Sequence, residues 1–458
     1  MQVTARGDAT LPPHYVPPVP HPEADASDAA LTAAEFDTLM ARLGPWPARR
    51  RVAVAVSGGA DSVCLALLTA GWGQPLALIV DHGLRLESAA EARLTAARLA
   101  QLGVAHQVLE LHGIGKSAAA ARAARYAALI EAAGQAGIVD LLLGHHAMDQ
   151  AETVLMRQRA ASGAAGQAGM AAIVHTRSVR LVRPFLGVAP GRLRATLRQA
   201  GAGWFEDPSN RNPAYLRSRL RAELLLPGAA EGLLRASGAA AVVRAEEERR
   251  MAAFLAEHVS VFPEGFAYLR PGPVPVPTAA LGALIRCIGG ADFAPASAAV
   301  ARVAYDPVPC VLGGVRLLAA GKFGPGLLVV REAAAMAASI PVAVGAVWDS
   351  RFRLEAVPPA IEDGGSGGTG TVPPALSLGA LGTDFREVRY LTPLPAAVLQ
   401  TLPVLRRNGV LAAVPHIGYC ADGALEGLVA SFIPAHPLAG APFDVPNGGC
   451  EADGKPPC

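Results

Sequence analysis

Apolar residues in the first half of the chain fall in short unbroken runs that alternate with longer stretches of helical spacing. VAVAV (52–56), PLALIVDH (75–82), VAHQVLEL (104–111) and VDLLLGHH (139–146) read as strands, the first as a buried one. Helical segments follow them, from Asp61, through 91–102, through 122–133 and after His146. That alternation predicts an α/β fold built on a doubly wound parallel sheet with helices on both faces. Beyond it, residues 190–227 form a basic tail, and 231 to about 300 reads as helical, with Glu246 and Arg250 one turn apart on an exposed face. After 300 the period becomes two: VPCVLGGVRLL, VAVGAVWDSRFRLEAV and PVLRRNGVLAAV read as strands, the last with Asn408-Gly409 as a hairpin turn. The expected organisation is a Pro-rich extension with a short helix (1–45), an α/β domain with its basic tail (46–227), a helical domain (228–300) and a smaller α+β C-terminal region (301–458). A flexible low-complexity insertion, EDGGSGGTGTVPP, falls near 360–375. The chain shows no internal repeat.

Composition narrows the function classes. Of 458 residues 52% are hydrophobic, ample for packed cores. The positive mean hydropathy of +0.32 comes largely from alanine, and no apolar run approaches the roughly 18–20 residues of a membrane span. The N-terminus lacks an apolar core behind a basic start, so it does not read as a secretory signal, and the expected compartment is the cytoplasm. The six cysteines show no C-x-x-C pair and no metal-ligand spacing, which argues against structural zinc, an iron–sulfur site or a disulfide framework. A net charge of +2 does not announce a nucleic-acid partner, so any such surface is local. Between 192 and 221 lie arginines 192, 194, 198, 211, 217, 219 and 221 against only Glu206 and Asp207. The run reads either as solvated helix faces or as a local nucleic-acid surface.

SGGADS follows the first apolar strand directly. In a doubly wound sheet, ligands gather where a strand's carboxyl end leads into the next helix. Gly58 and Gly59 let backbone N–H groups crowd around an anion, the helix start adds partial positive charge, and Ser57 and Ser62 offer hydroxyl donors. There is no G-K-[ST], so this is not the loop that holds a transferable terminal phosphate. An acidic Asp61 inside a phosphate cradle makes sense if Mg2+ bridges it to the phosphates, since carboxylate and phosphate otherwise repel. The alternative is a plain strand-to-helix turn with Asp61 as an N-terminal helix acid.

SGGADS resembles the pyrophosphatase-loop signature of adenylating enzymes, which release pyrophosphate and leave AMP on a substrate oxygen. The order of VDHGLRLESAAEA, ARAARY, GHHAMDQAETVLMR, SGAAGQAGM, RPFL and WFEDPSNRNPAYLRSRLR over residues 52–221 further resembles the tRNA(Ile)-lysidine synthetase family. VLGGVRL, VWDSRFRL and LPVLRRNGVLAAVP extend the likeness weakly into the C-terminal part. The resemblance implies the adenine nucleotide alpha hydrolase-like fold. It implies ATP and Mg2+ as cofactors, L-lysine and the CAU-anticodon isoleucine tRNA as partners, and neither DNA nor membrane. The activity it implies is ligation of lysine to C2 of the wobble cytidine.

Carried over residue by residue, the ATP site comprises Ser57, Gly58, Gly59, Ala60, Asp61 and Ser62, with Asp81 and His82 closing a neighbouring strand and Asp61 holding the metal. The family's HHxxD element implies that His145 and Asp149 stand with Asp61 at the reacting centre; the residues alone equally allow Asp149 as a helix cap. His82 and His146 read either as site groups or as strand-end histidines with ordinary partners. Arg122 and Arg125 share a helix face, and the resemblance places them near tRNA or ATP phosphates. Arg217, Arg219 and Arg221 match its arginine pattern for RNA-backbone or lysine contacts. Trp204 and Tyr215 suit either base stacking or the core. Met148 stands where many members are acidic, and Ala160, Ala161 and Gln167 replace usual family residues. Two other readings stay open: a tRNA 2-thiolation enzyme, which the missing C-x-x-C disfavours, and a non-catalytic RNA-binding protein, which would tolerate loss of Asp61 and Asp149.

Overall fold

The computed structural model describes residues 15–16, 29–83, 88–112, 117–206, 216–224, 226, 228–272, 275–356 and 376–446. The chain divides into two compact units, Met1–Glu247 with Ala441–Cys458, and Glu248–Gly440.

In the first unit the elements run β1 (Tyr15–Val16), α1 (Ala33–Ala41), β2 (Arg51–Val56), α2 (Ala60–Trp72), β3 (Gln74–Asp81), α3 (Ser88–Gln101), β4 (Ala105–Glu110) and α4 (Ala118–Gln135). They continue with β5 (Asp140–Leu142), α5 (Ala147–Arg159), α6 (Ala164–Gln167), β6 (Ile173–His175), β7 (Arg180–Val182), α7 (Pro190–Gln199), β8 (Trp204–Phe205), α8 (Leu216–Leu224) and α9 (Ala229–His258), within which the unit boundary falls. Six strands form one sheet in the order β4-β3-β2-β5-β7-β6, parallel except for β6, which runs antiparallel to β7. The chain therefore builds outward from β2 in one direction and returns to build outward in the other. The carboxyl ends of β2 and β5 mark the switch point where such sheets open a crevice.

The alternating strand pattern sorts β2 onto two cores. Val52, Val54 and Val56 pack with Phe36, Leu65, Leu193 and Leu197 on one face, while Ala53 joins Leu78, Leu129, Ala133 and Leu141 on the other. Each buried valine contributes about 2 kcal/mol of apolar transfer free energy. The valine face and the alanine face together hold the central strand, and with it the loop at its end. In the Pro-rich extension, Tyr15–Val16 pairs antiparallel with Trp204–Phe205.

The second unit corrects the expectation of a helical domain over 228–300. Val259–Phe262 (β9) and Phe266–Leu269 (β10) form a hairpin, and β10 pairs with Leu327–Arg331 (β13) in a five-stranded sheet completed by Cys310–Leu312 (β11) and Val315–Ala319 (β12). The run VSVF-PEG-FAYL alternates around a Pro-Glu-Gly turn, with Gly265 at φ +77. Helices α10 (Thr278–Gly289) and α11 (Ser297–Tyr305) pack on that sheet through Leu281, Ile285, Ile288 and Val300. Two further antiparallel sheets follow. One has the order β14-β17-β18-β19-β20, from Ile340–Pro341 (β14), Leu376–Ala380 (β17), Pro403–Arg407 (β18), Val410–Val414 (β19) and Tyr419–Cys420 (β20); the other joins Val347–Trp348 (β15), Phe352–Ala356 (β16) and Val429–Phe432 (β21). Asn408 and Gly409 turn between β18 and β19 with φ of +51 and +83, as the hairpin reading expects. Asp349 and Ser350 do the same between β15 and β16 at φ +51 and +54. Asp349 is fixed there by Arg331 and Arg351, both buried beside it. The insertion near 360–375 lies outside the described residues.

Candidate active site

The loop 57–59 turns sharply off β2 into α2. Gly58 has φ +84, and a Cβ there would lie 2.7 Å from Thr95 Oγ1 and 3.1 Å from the Phe205 ring, so only glycine fits. Gly59 is the N-cap of α2 and offers no side-chain cap. The first N–H groups of that helix are therefore directed at whatever fills the crevice. Ser62 is nearly buried; its hydroxyl donates to Gly59 O at 3.0 Å and accepts from Ser57 N–H at 3.1 Å. With those bonds Ser62 braces the loop, and Ser57 is the exposed hydroxyl, 3.2 Å from it. The segment after α7 clamps the loop from the other side, Phe205 N–H donating to Gly58 O at 2.9 Å. Across the switch point the β5–α5 turn comes equally close. A Cβ on Gly144 would lie 3.1 Å from three backbone atoms of Asp61 and Ser62.

α5 starts differently. His146 is its N-cap, and its Nδ1 accepts from Asp149 N–H at 3.4 Å while Asp149 Oδ2 accepts from His146 N–H at 3.1 Å, a closed capping box. Because Nδ1 accepts, these contacts assign the ring proton to Nε2, which faces Asp61 Oδ2 at 3.6 Å. A buried histidine thus stands between the two carboxylates expected at the reacting centre. Burial raises the Asp61 carboxyl above its usual range; the Asp149 charge pushes the same way, and His146 opposes it. Arg221 comes from α8 to pair with Asp149 Oδ1 at 3.3 Å and with Glu152, which is almost fully buried. His145 lies beside this group with its Nδ1 buried and without a hydrogen-bond partner among the described residues. Burial, then the Arg183 charge, lowers its pKa to about 4. It is a neutral imidazole at pH 7, suited to hydrogen bonding and not to carrying charge.

A cavity of about 620 Å³ joins these parts. Ser57, Gly59, Ala60, Asp61, Ser62, His82, Arg125, His145, His146 and Arg221 all line it, as do Arg194 and the rings of Tyr126, Trp204 and Phe205. Asp81 does not line it. Its carboxylate accepts from Ser88 Oγ at 2.5 Å and Gly83 N–H at 3.0 Å, and those bonds, Ser88 first, hold it below the usual carboxylate range. Asp81 shapes the turn that carries His82. Arg122 lies outside the lining, its guanidinium 3.3 Å from the Tyr126 hydroxyl and over that ring. Arg219 is exposed; the side chain of Arg217 and all of Tyr215 lie outside the described residues. Trp204 is a core residue at 3% exposure. The sequence leaves His146 undecided, because histidine is not among the usual N-caps, and offers Glu152 only within the helix-cap reading of Asp149 and Arg194 only within the arginine run. The signal for Glu152 was its place three residues after Asp149, one helical turn along the same face.

The C-terminal end of α5 is held by the next loop. Arg157 donates to Gly166 O at 2.9 Å and Gly169 O at 2.6 Å, and the Gln150 amide brackets Met170 at 2.7 and 3.0 Å. These bonds tie the segment 166–170 to α5. No helix among the described residues is long and apolar enough to cross a membrane.

Residues 31–227 match the PP-loop domain family. The chain is 45% identical over 213 residues to a tRNA(Ile)-lysidine synthase of Bradyrhizobium sp. (strain BTAi1), a match covering 44% of this chain and 58% of the relative. With the tRNA(Ile)-lysidine synthase of Mesorhizobium japonicum it shares 37% identity over 323 residues, 66% of this chain and 71% of the relative. With that of Ruegeria pomeroyi it shares 35% over 391 residues, 81% of this chain and 89% of the relative. The match thus spans under two thirds of the Bradyrhizobium relative and most of the Ruegeria one. The likeness to the Ruegeria relative runs through most of both chains, and with it the protein belongs to the tRNA(Ile)-lysidine synthase family.

Proposed function

We propose that the chain ligates L-lysine to C2 of the wobble cytidine of the CAU-anticodon isoleucine tRNA in two steps. The cytidine O2 attacks the α-phosphorus of ATP and pyrophosphate leaves; an amine of lysine then attacks C2 and AMP leaves. The observation that carries this is the cavity at the switch point, lined by the uncapped N-terminus of α2, Asp61, His145 and His146, with Asp149 outside the lining and behind His146. The first half suits the polyphosphate: the α2 N–H groups and Ser57 donate to phosphate oxygens without needing a charged side chain. For the second half, Asp149 stands behind His146, outside the cavity lining and paired with Arg221 beside the buried Glu152; its carboxylate is the one assigned to the lysine ammonium. Lysine attacks only as the free amine, so a carboxylate that orients it and takes its proton is required there. His145, a neutral imidazole lining the cavity, is the group we assign to hydrogen-bond the base or the amine.

Mg2+ fits Asp61. No cluster of three or more acidic, histidine or cysteine ligands occurs among the described residues, and magnesium bound through one carboxylate plus substrate phosphates needs none. The raised Asp61 carboxyl, crowded by Asp149, is a group that a cation would stabilise in its charged form. Bound there, the ion would screen phosphate charge. A cytoplasmic location accords with this substrate.

The test is transfer of labelled lysine to purified CAU isoleucine tRNA with ATP. A wobble uridine presents an acceptor where cytosine presents its amino donor, leaving polar groups of the pocket unmatched. Labelling is expected with cytidine and lost with uridine. Uridine labelling within about tenfold of cytidine, a difference of about 1.4 kcal/mol, would contradict reading of the base edge, and no labelling of either would contradict the activity.

A further inference from the structure

The cradle has no lysine, and its own residues supply no full positive charge. Arg194 on α7 stands in the same cavity. The helix that carries it is held in place by its other residues. Arg192 donates to Ala29 O at 2.8 Å and pairs with Glu35 at 2.8 Å, Thr196 Oγ1 accepts from Leu31 N–H at 2.8 Å, and Leu193 and Leu197 are fully buried in the core that also holds α2. Arg194 takes no part in that anchoring. Among the described residues no hydrogen bond or ion pair engages its guanidinium, although its charge acts on the Asp61 carboxylate. Arg221, by contrast, is committed to Asp149 and Glu152.

We infer that Arg194 is the binding residue for the pyrophosphate half of ATP, closing the cradle opposite the N-terminus of α2. The inference rests on the ATP-dependent reading above and deepens it. The β- and γ-phosphates carry most of the nucleotide's charge and leave together, so a partly buried guanidinium facing them binds the nucleotide and steadies the departing group. The α-phosphate, which stays on the cytidine oxygen, has less charge to offer it.

Titration calorimetry with the full chain, Mg2+ and no tRNA or lysine separates the possibilities. Arg194→Ala is expected to weaken ATP and inorganic pyrophosphate at least tenfold while AMP, which lacks the two terminal phosphates, stays within twofold; Arg194→Lys should fall between. Unchanged pyrophosphate affinity in Arg194→Ala, or equal losses for AMP and ATP, overturns the inference. Unchanged ATP affinity with weaker, less salt-dependent tRNA binding also overturns it and places Arg194 on the RNA backbone. Wild-type protein that binds neither ATP nor pyrophosphate contradicts the ATP reading itself, a result distinct from failure of Arg194 alone.

Discussion

Two helices begin within a few ångströms of each other at the switch point of one sheet, and their first turns are built in opposite ways. α2 starts at a glycine with no side-chain cap, whereas α5 starts at a histidine locked with Asp149 into a capping box. Both leave the carboxyl ends of adjacent parallel strands, so the difference lies in the sequence of the turn and not in the topology. An uncapped N-terminus keeps its N–H groups for a ligand, and the ligand it favours is an anion. A capped one has met a donor of its own with a carboxylate, and that carboxylate also carries a cation, Arg221 at 3.3 Å. On the function proposed above, the pair divides the site into a phosphate side at α2 and a lysine side at α5, with His146 between Asp61 and Asp149.

The largest break expected in this division comes from Asp61→Ala. It removes the carboxylate that faces both His146 and the cradle, and we expect pyrophosphate release to fall on the order of 10³-fold while tRNA affinity changes little. Pyrophosphate release near the wild-type rate would show that Asp61 only starts the helix. Gly58→Ala attacks the phosphate side through the backbone: a left-handed φ and a Cβ 2.7 Å from Thr95 Oγ1 force the loop to move. A loss of about 1–3 kcal/mol in stability and of ATP binding is expected by thermal melting and calorimetry.

On the lysine side, Arg221 and Arg219 sharpen the contrast within one helix. Arg221→Ala leaves Glu152 buried without its partner and should lower stability by about 1–3 kcal/mol and lysine use with it. Arg219→Ala, on the exposed face, should leave stability unaltered and reduce the salt slope of tRNA binding by about 0.7–0.9. The reverse pattern would return Arg221 to the RNA surface. The smallest effect is in pH. His145 is lowered to about 4 by burial and by Arg183, with Arg122 and His146 adding to it and Asp149 opposing. Its unfolded form takes up a proton below about 6.5 while the folded form does not, so stability should fall as pH drops from about 6.5 toward 4. His145→Asn should flatten that fall in equilibrium unfolding; an unchanged profile would assign it to other groups.

How far the sequence carries this account differs between the two helices. SGGADS after VAVAV made the sharp turn into an uncapped helix legible, because glycine at a strand end has direct backbone meaning. HHxxD announced a site but not its wiring. Nothing local says which of two adjacent histidines turns inward, and the choice depends on Gly144 letting the β5 turn approach Asp61. The pairing of Arg221 with Glu152 spans 69 residues and was invisible in a pattern of arginines alone. The hairpin at 259–269 was absorbed into a helical reading because two four-residue strands are shorter than the window in which helical spacing is judged.

The division of labour between the two helices is tested most directly by Asp149→Asn, which keeps the size of the side chain and an acceptor for the cap while removing the charge. Adenylation would be followed as exchange of labelled pyrophosphate into ATP, with CAU isoleucine tRNA present and lysine absent, beside lysine incorporation by the same variant. The account predicts exchange within a few-fold of wild type and lysine incorporation reduced on the order of 10²-fold or more. Loss of both in equal measure, or retention of both, would contradict it.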